Sequence, residues 1–240
     1  MRSLGPADVL ALWERGVNRH PLDRSALLCA WARPELSADS VADLPLGSVT
    51  VALLQLRAAS FGARIEGHVD CERCGERLAL SLRVSELLQP MAGGDERPDA
   101  DVAGLHVRTP CLRDLAAVAG VADAGRAARQ LLARCAATAD GPASDAVAAL
   151  PDAAMREVET ALEALDPNAD LALAVCCAAC GHSGSAQLDA GTLLWDEIDA
   201  RARTLLGEVH SLARAYGWTE AEILALGTAR RATYLAMVGA

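Results

Sequence analysis

Two short cysteine motifs constrain this chain more than any other feature. The first spans residues 71–75 (CERCG) and the second residues 177–181 (CAACG). Two residues between the cysteines allow one tight turn to aim both sulfur atoms at one point. The glycine that follows can adopt a positive φ, which turns backbone amides towards the sulfurs. Two such turns bring four thiolates to the corners of a tetrahedron, the arrangement of a structural zinc site. The expected Zn²⁺ ligands are Cys71, Cys74, Cys177 and Cys180.

The sequences around the two motifs also match. Residues 77–84 alternate with period two after the first motif, and residues 182–188 follow the second in a similar way. Each half therefore predicts a strand, a cysteine turn, a second strand and the start of a helix. The long segment between Cys74 and Cys177 is too long for a ribbon loop, so a separate unit must be inserted there. The predicted fold is mainly α with a small β zinc ribbon (α+β), split by a helical insertion.

Composition supports a helical body around this ribbon. Hydrophobic residues make up 52% of the 240 residues and aromatic residues only 3%. The core must therefore consist of alanine, leucine and valine, which favours closely packed helices. The predicted organisation has five parts, which are an N-terminal helical segment (1–62), the first half of the ribbon (63–90), the helical insertion (91–167), the second half of the ribbon (168–190) and C-terminal helices (191–240).

The ligand assignment has alternatives. His182 follows Cys180 by two residues and could replace a thiolate, and Cys176 could compete with Cys177. The match to the first motif favours Cys177. The two pairs could also be unrelated thiols or surface disulfides, although matched pairs at this spacing are the recognised metal signature. The remaining cysteines lack ligand spacing and are expected to be structural.

Charge and targeting signals limit the partners. The formal net charge is −10, which opposes nucleic-acid binding because phosphate contacts need clustered positive charge. The N-terminus lacks the apolar core of a signal peptide, and no stretch approaches membrane-spanning length. We expect a cytoplasmic protein with reduced thiols, which again favours zinc over disulfides.

Catalytic motifs do not stand out in the sequence. Four cysteines close the coordination shell of a zinc ion, whereas a catalytic zinc keeps one position open. No G-x-G-x-x-G, phosphate-binding loop or G-x-S-x-G motif occurs. The expectation is that the chain is not an enzyme, has no catalytic residues and takes no small-molecule substrate.

The order of the motifs resembles that of the T-even-type phage baseplate hub assembly proteins, as found in gene clusters of extracellular contractile injection systems. The likeness covers most of the chain and is strongest in the two cysteine motifs and the last fifty residues. Ala178 stands where the family usually has proline, and Cys176 is extra, but neither change removes a ligand. The further stretches that carry the resemblance are residues 12–16 (LWERG), 56–57 (LR), 61–62 (FG), 109–110 (TP), 113–115 (RDL), 194–198 (LWDEI) and 210–218 (HSLARAYGW).

The resemblance implies a baseplate assembly factor (an assembly chaperone) or a minor baseplate component that binds other baseplate or tail proteins. An alternative, based on the ribbon alone, is an adaptor or regulator that binds nucleic acid or the transcription machinery. Exposed aromatic residues often contribute most of the binding energy at a protein interface, and aromatic residues are few in this chain. The expected partner-binding residues are Tyr216, Trp218, Ile223 and Leu226. The alternative role for these residues is closure of the C-terminal core.

Overall fold

The computed structural model describes residues 2–89, 94–139 and 141–238. The chain is 56% helical with small antiparallel sheets, which confirms the α+β class. No helix in these three ranges is both long enough and apolar enough to cross a membrane.

Four helices form the N-terminal segment. Prolines open the first two at positions where their missing N–H costs no hydrogen bond. The third was not predicted from sequence because it is only one turn long, and the Ser37 hydroxyl caps it by accepting from the Ser40 amide. These helices are α1 (Pro6–Gly16), α2 (Pro21–Ala32), α3 (Ala38–Ala42) and α4 (Leu46–Phe61).

The first ribbon half is an antiparallel hairpin. Strand β1 (Arg64–Asp70) pairs with β2 (Arg77–Arg83), from Arg64 opposite Arg83 to Asp70 opposite Arg77. One helical turn, α5 (Val84–Leu87), follows directly. The predicted order of strand, turn, strand and helix start is therefore present.

The insertion contains more strand than the sequence predicted. The polar, glycine- and proline-rich composition of residues 90–101 predicts a loop. Residues 90–93 lie outside the described ranges, and Asp99–Val102 forms a strand. Ala103 and Gly104 both have positive φ values, 52° and 77°, as a two-residue hairpin turn requires. The elements of the insertion are β3 (Asp99–Val102), β4 (Leu105–Arg108), α6 (Leu112–Val118), α7 (Ala124–Cys135), β5 (Ala136–Thr138), β6 (Gly141–Pro142), α8 (Ser144–Ala148) and α9 (Asp152–Leu165).

The second ribbon half and the C-terminal helices complete the chain. Strand β7 (Leu171–Cys176) pairs with β8 (Ser183–Leu188) in an antiparallel hairpin. The long helix α10 (Ala190–Tyr216) ends at Gly217, which has the left-handed conformation common after helices. Helices α11 (Glu220–Ala225) and α12 (Thr228–Val238) follow, and Thr219 and Glu222 form a capping box at the start of α11.

Two hydrophobic clusters organise the molecule. The main cluster joins α1, α2 and α4 to α10, and residues of both hairpins such as Ile65 and Leu171 belong to it. The second cluster lies within the insertion and includes Val107, Leu132 and Val158. The insertion thus has a core of its own.

The insertion packs against the N-terminal helices, a point that the sequence left open. Pro45 and Cys111 form a β-bridge, and Arg113 pairs with Asp43 at 2.9 Å. At the exit of the insertion, the buried Asp166 carboxylate accepts the Gly47 amide of α4 at 2.9 Å. This contact caps α4, since amides of the first helical turn have no partner within the helix.

A buried arginine joins the first hairpin to the long helix. Arg57 on α4 is 4% exposed and donates to both carboxylate oxygens of Glu197 on α10. It also donates to the carbonyl of Gly62 at 2.6 Å, just before β1. The contact fixes where the first hairpin leaves the helical body.

Candidate metal centre

The two cysteine turns have the same backbone hydrogen bonds. In the first, the Cys71 amide donates to the Glu76 carbonyl and the Gly75 amide to the Cys71 carbonyl, both at 2.8 Å. In the second, the Cys177 amide donates to His182 and the Gly181 amide to Cys177, again at 2.8 Å. The repeated local sequence therefore produces a repeated local structure.

A glycine ends each turn because the chain reverses there with a positive φ. Gly75 has a φ of 74° and Gly181 a φ of 69°. L-amino acids with a side chain rarely adopt this conformation, whereas glycine does so at little cost. This is the conformation that the sequence analysis expected at these positions.

The four predicted cysteines converge on one point. The Sγ atoms of Cys71, Cys74, Cys177 and Cys180 all lie within 4.8 Å of one another. Sγ of Cys71 is 3.7 Å from that of Cys180, and Sγ of Cys74 is 3.6 Å from that of Cys177. A disulfide has an S–S distance of about 2.05 Å, so none of these is a disulfide. A metal with M–S bonds of about 2.3 Å places tetrahedral sulfurs about 3.8 Å apart.

The ionisation of these thiols is mutually dependent. Backbone amides of Cys74 and Arg73 stabilise the Cys71 thiolate and lower the pKa of Cys71 to about 6. The Glu76 amide favours the thiolate of Cys74, yet the neighbouring Cys180 and burial outweigh it and raise the pKa of Cys74 to about 12. Four sulfurs this close cannot all carry negative charge unless a cation neutralises them. The donor set thus fits a thiophilic, tetrahedral cation.

The two alternative ligands lie outside this group. Cys176 stands at the end of β7, opposite Ser183, and is exposed. It corresponds in register to Asp70, which stands opposite Arg77 at the end of β1. Among the residues that the structure describes, the metal-type cluster at this place contains the four predicted cysteines, without Cys176 or His182.

The other cysteines are interior thiols. Burial raises the pKa of Cys29 to about 11 and that of Cys135 to about 12. Cys111 and Cys135 both approach the buried carboxylate of Asp114, with Sγ–Oδ2 distances of 3.1 and 3.8 Å. These residues are buried in the fold, as expected for structural cysteines.

Asp114 is the centre of a charged network that the sequence analysis missed. Its side chain is 2% exposed, and it pairs with Arg108 at 2.6 Å and with Arg134 at 3.2 Å. Burial acts to raise the pKa of Asp114, but hydrogen bonds from Arg108 and Cys111 outweigh it and lower the pKa to about 2. The network joins β4, α6 and α7 of the insertion.

The expected partner-binding residues lie around the C-terminal helices. Tyr216 stacks on Trp218 with ring centroids 4.7 Å apart, and Trp218 contacts Tyr234 edge-on at 4.9 Å. Tyr216 is exposed, and Trp218 and Leu226 are half-buried. Ile223 is completely buried, so its side chain packs inside the protein and offers no surface in this structure. Partner contact at this cluster stays a prediction.

The fold and site define a mainly helical α+β protein in which a split pair of cysteine hairpins meets at a four-thiol centre. The family model described as T4 bacteriophage base plate protein matches residues 34–190. This match spans about two thirds of the chain and contains both cysteine turns and the whole insertion. The chain therefore belongs to the T4-type phage baseplate protein family. Comparison with curated proteins and with solved structures gives no match.

Proposed function

We propose that this protein is a non-enzymatic assembly factor or minor component of the baseplate in a contractile, phage-tail-like injection system. It acts in the cytoplasm or in the assembled particle through contacts with other baseplate or tail proteins. The observation that carries the proposal is the family match across both cysteine turns and the insertion between them. The proposal adds a structural Zn²⁺ held by the four cysteines.

Zinc is proposed because the donor set favours it. Four thiolates in a tetrahedral arrangement are typical of structural zinc sites, and the S–S distances of 3.6 and 3.7 Å suit bonds of zinc length. The bound ion supplies a cross-link between two distant parts of the chain. Because ligands that are far apart in sequence meet only in the folded state, the binding free energy becomes folding free energy.

The protein residues around the sulfurs orient the ligands. The Gly75 and Gly181 turns fix the direction of each cysteine pair through their hydrogen bonds to Cys71 and Cys177. The hairpins in turn join the main core, where Ile65 and Leu171 are buried. A stable metal centre would therefore hold both hairpins in register against the helical body.

A non-enzymatic role is supported by the donor set itself. With four cysteine ligands, no coordination position is left for water or substrate. Cys71 has a lowered pKa, but the residue is buried and its sulfur lies among the other three thiols. We therefore assign the centre a structural role within the baseplate function.

The aromatic cluster of Tyr216, Trp218 and Tyr234 is the proposed contact surface. Its exposed ring, Tyr216, belongs to a type of residue that often anchors protein interfaces. Replacing Trp218 with alanine should reduce recovery of tail proteins with the tagged chain. Trp31→Ala is the matched control, since Trp31 is also half-buried but lies on α2.

The experiment that tests the proposed function is deletion of the gene in a cell that produces the tail particle. We expect particles without complete baseplates and recovery with a plasmid copy. Co-purification of the tagged protein with tail proteins would support the same role. Normal particles in normal number after deletion would overturn the proposal.

A further inference from the structure

A basic groove on the insertion is separate from both the metal centre and the aromatic cluster. It lies between α7 and α8, with further lining from α6, and has a volume of about 810 Å³. Small residues line much of it, including Ala117, Gly125, Ala133 and Ala148. Small side chains allow a second helix to approach closely. We call this feature the arginine groove.

Three arginines of α7 line the groove, namely Arg126, Arg129 and Arg134. Helix α7 contains no acidic residue, and the carboxylate among the lining residues, Asp123, caps the helix by accepting the Arg126 amide at 2.7 Å. The lining thus contains three arginines and one carboxylate, in a chain whose net charge is −10.

Two of the arginines hold the walls of the groove in place. Arg129 donates to the carbonyls of Val147 and Leu150, both at 3.1 Å, and so ties α7 to the end of α8. It also pairs with the exposed Asp152 at 3.3 Å. Arg134 is held by Asp114 at 3.2 Å. The groove therefore exists before any partner binds.

Arg126 differs from the other two. Its side chain is exposed, and its guanidinium has no hydrogen-bond or ion-pair partner within the described parts of the chain. Its charge is therefore available to an incoming carboxylate. Rim charges of this kind select partners and accelerate association.

We propose that the arginine groove binds an acidic helix of a partner baseplate protein. This rests on the proposed function, because it names the kind of partner that the baseplate role requires. The size agrees with such an occupant. The lining residues from Gly125 to Arg134 extend about 14 Å along α7, which is the length of two to three turns of a helix. A carboxylate on that helix would pair with Arg126, and further carboxylates three or four residues away would lie near Arg129 and Arg134, which keep their own partners.

The first test uses a model peptide and the full-length protein. The probe is a fluorescent helical peptide of about 16 residues with glutamates at three- and four-residue intervals on one face. It should bind the wild type with an affinity that falls as salt rises, and Arg126→Glu should weaken it by about tenfold or more. A control peptide with glutamine in place of each glutamate should bind the wild type weakly. Its affinity should be as low as that of the acidic peptide for Arg126→Glu.

Arg156→Glu is the matched control. Arg156 is an exposed arginine on α9 of the same insertion and does not line the groove. The two variants change the net charge by the same amount. A difference between their affinities for the acidic peptide must therefore come from the position of the substituted arginine. Equal loss of affinity in both variants, or no saturable binding of the acidic peptide to the wild type, would overturn the proposal. A normal unfolding temperature of Arg126→Glu would establish that it is folded.

A second test separates this inference from the proposed function. The deletion strain is complemented with wild type, Arg126→Glu or Arg156→Glu, and complete particles are counted. We expect Arg156→Glu to restore particles and Arg126→Glu to restore markedly fewer. If the strain needs the gene and Arg126→Glu restores particles fully, the proposed role of the arginine groove is refuted and the proposed baseplate function stands. If the deletion strain makes normal particles without any copy of the gene, the proposed baseplate function itself is refuted.

Discussion

Replacing Gly47 with alanine changes the stability of the fold through two effects of opposite sign, a gain in helix propensity and a steric overlap. Gly47 occupies the first turn of α4, where its amide donates to the buried Asp166 at 2.9 Å. In a helix, replacing glycine with alanine usually stabilises by up to about 1 kcal/mol. Here a Cβ atom would overlap Oδ1 of Asp166 and lie 2.8 Å from its Cγ and 3.1 Å from Cβ of Asn168. The carboxylate would have to move away.

The expected result of Gly47→Ala is a net loss of stability. A hydrogen bond to a charged group contributes roughly 1.5–3 kcal/mol, and the gain in helix propensity offsets about 1 kcal/mol. The free energy of unfolding should therefore fall by about 0.5–2 kcal/mol. At about 2–4 °C per kcal/mol for a chain of this size, the Tm should fall by roughly 1–8 °C. Far-UV circular dichroism with heat and urea measures both quantities.

Two variants make the interpretation specific. Gly207→Ala, in the exposed middle of α10 with no atom within 4 Å of the added Cβ, should raise stability by about 1 kcal/mol. In an Asp166→Ala background the overlap is gone, so Gly47→Ala should become neutral or stabilising. A stabilising effect of Gly47→Ala in the wild-type background would refute the reasoning.

Three further predictions concern buried groups. The lowered pKa of Asp114, about 2 against 3.8 unfolded, means that its carboxylate stabilises the fold above about pH 4 and that this contribution is lost as the pH falls towards 2. The difference in unfolding free energy between wild type and Asp114→Asn should shrink over that range, and a constant difference would contradict it. Arg57→Met should cost about 3 kcal/mol in urea unfolding, because Glu197 loses its buried partner, and a loss under about 1 kcal/mol would contradict this. Gly16→Ala should lower the Tm, because its Cβ would overlap the ring of Trp195, and an unchanged Tm would contradict this.

The metal centre could be predicted from sequence because its information is local. Each motif determines its own turn through two cysteines and a glycine, as the identical backbone bonds at Cys71 and Cys177 show. Matched pairs at this spacing are typical of one four-thiolate metal site, so the sequence predicted that the two distant motifs meet, and the four Sγ atoms do lie within 4.8 Å of one another. The alternation of residues 77–84 also predicted the returning strand, here Arg77–Arg83.

The short elements were not predictable in the same way. Helices α3 and α8 have five residues each, too few to establish a helical repeat of apolar positions. Strand β3 carries two aspartates and follows a polar stretch that favours a loop by composition. Its pairing with β4 depends on the two positive φ values at Ala103 and Gly104.

Interactions between residues that are distant in the chain could not be predicted from the sequence. Asp114 gathers Arg108 and Arg134 from separate elements, and no spacing rule connects them. Ile223 has the apolar character of a surface anchor, but only the packing of α11 against α10 shows that it is buried. The charge of α7 was visible, since it has three arginines and no acid, but the groove beside it requires α8 in place.

Bound metal per chain is the most direct test of the central claim. Protein purified without chelator is analysed by elemental analysis and circular dichroism, as wild type, Cys74→Ser and Cys176→Ser. We predict one Zn²⁺ per chain in the wild type and in Cys176→Ser, whose thiol lies outside the cluster. In Cys74→Ser the metal and the cooperative unfolding transition should both be lost. No metal in the wild type, with Cys74→Ser folded to the same stability, would contradict the account.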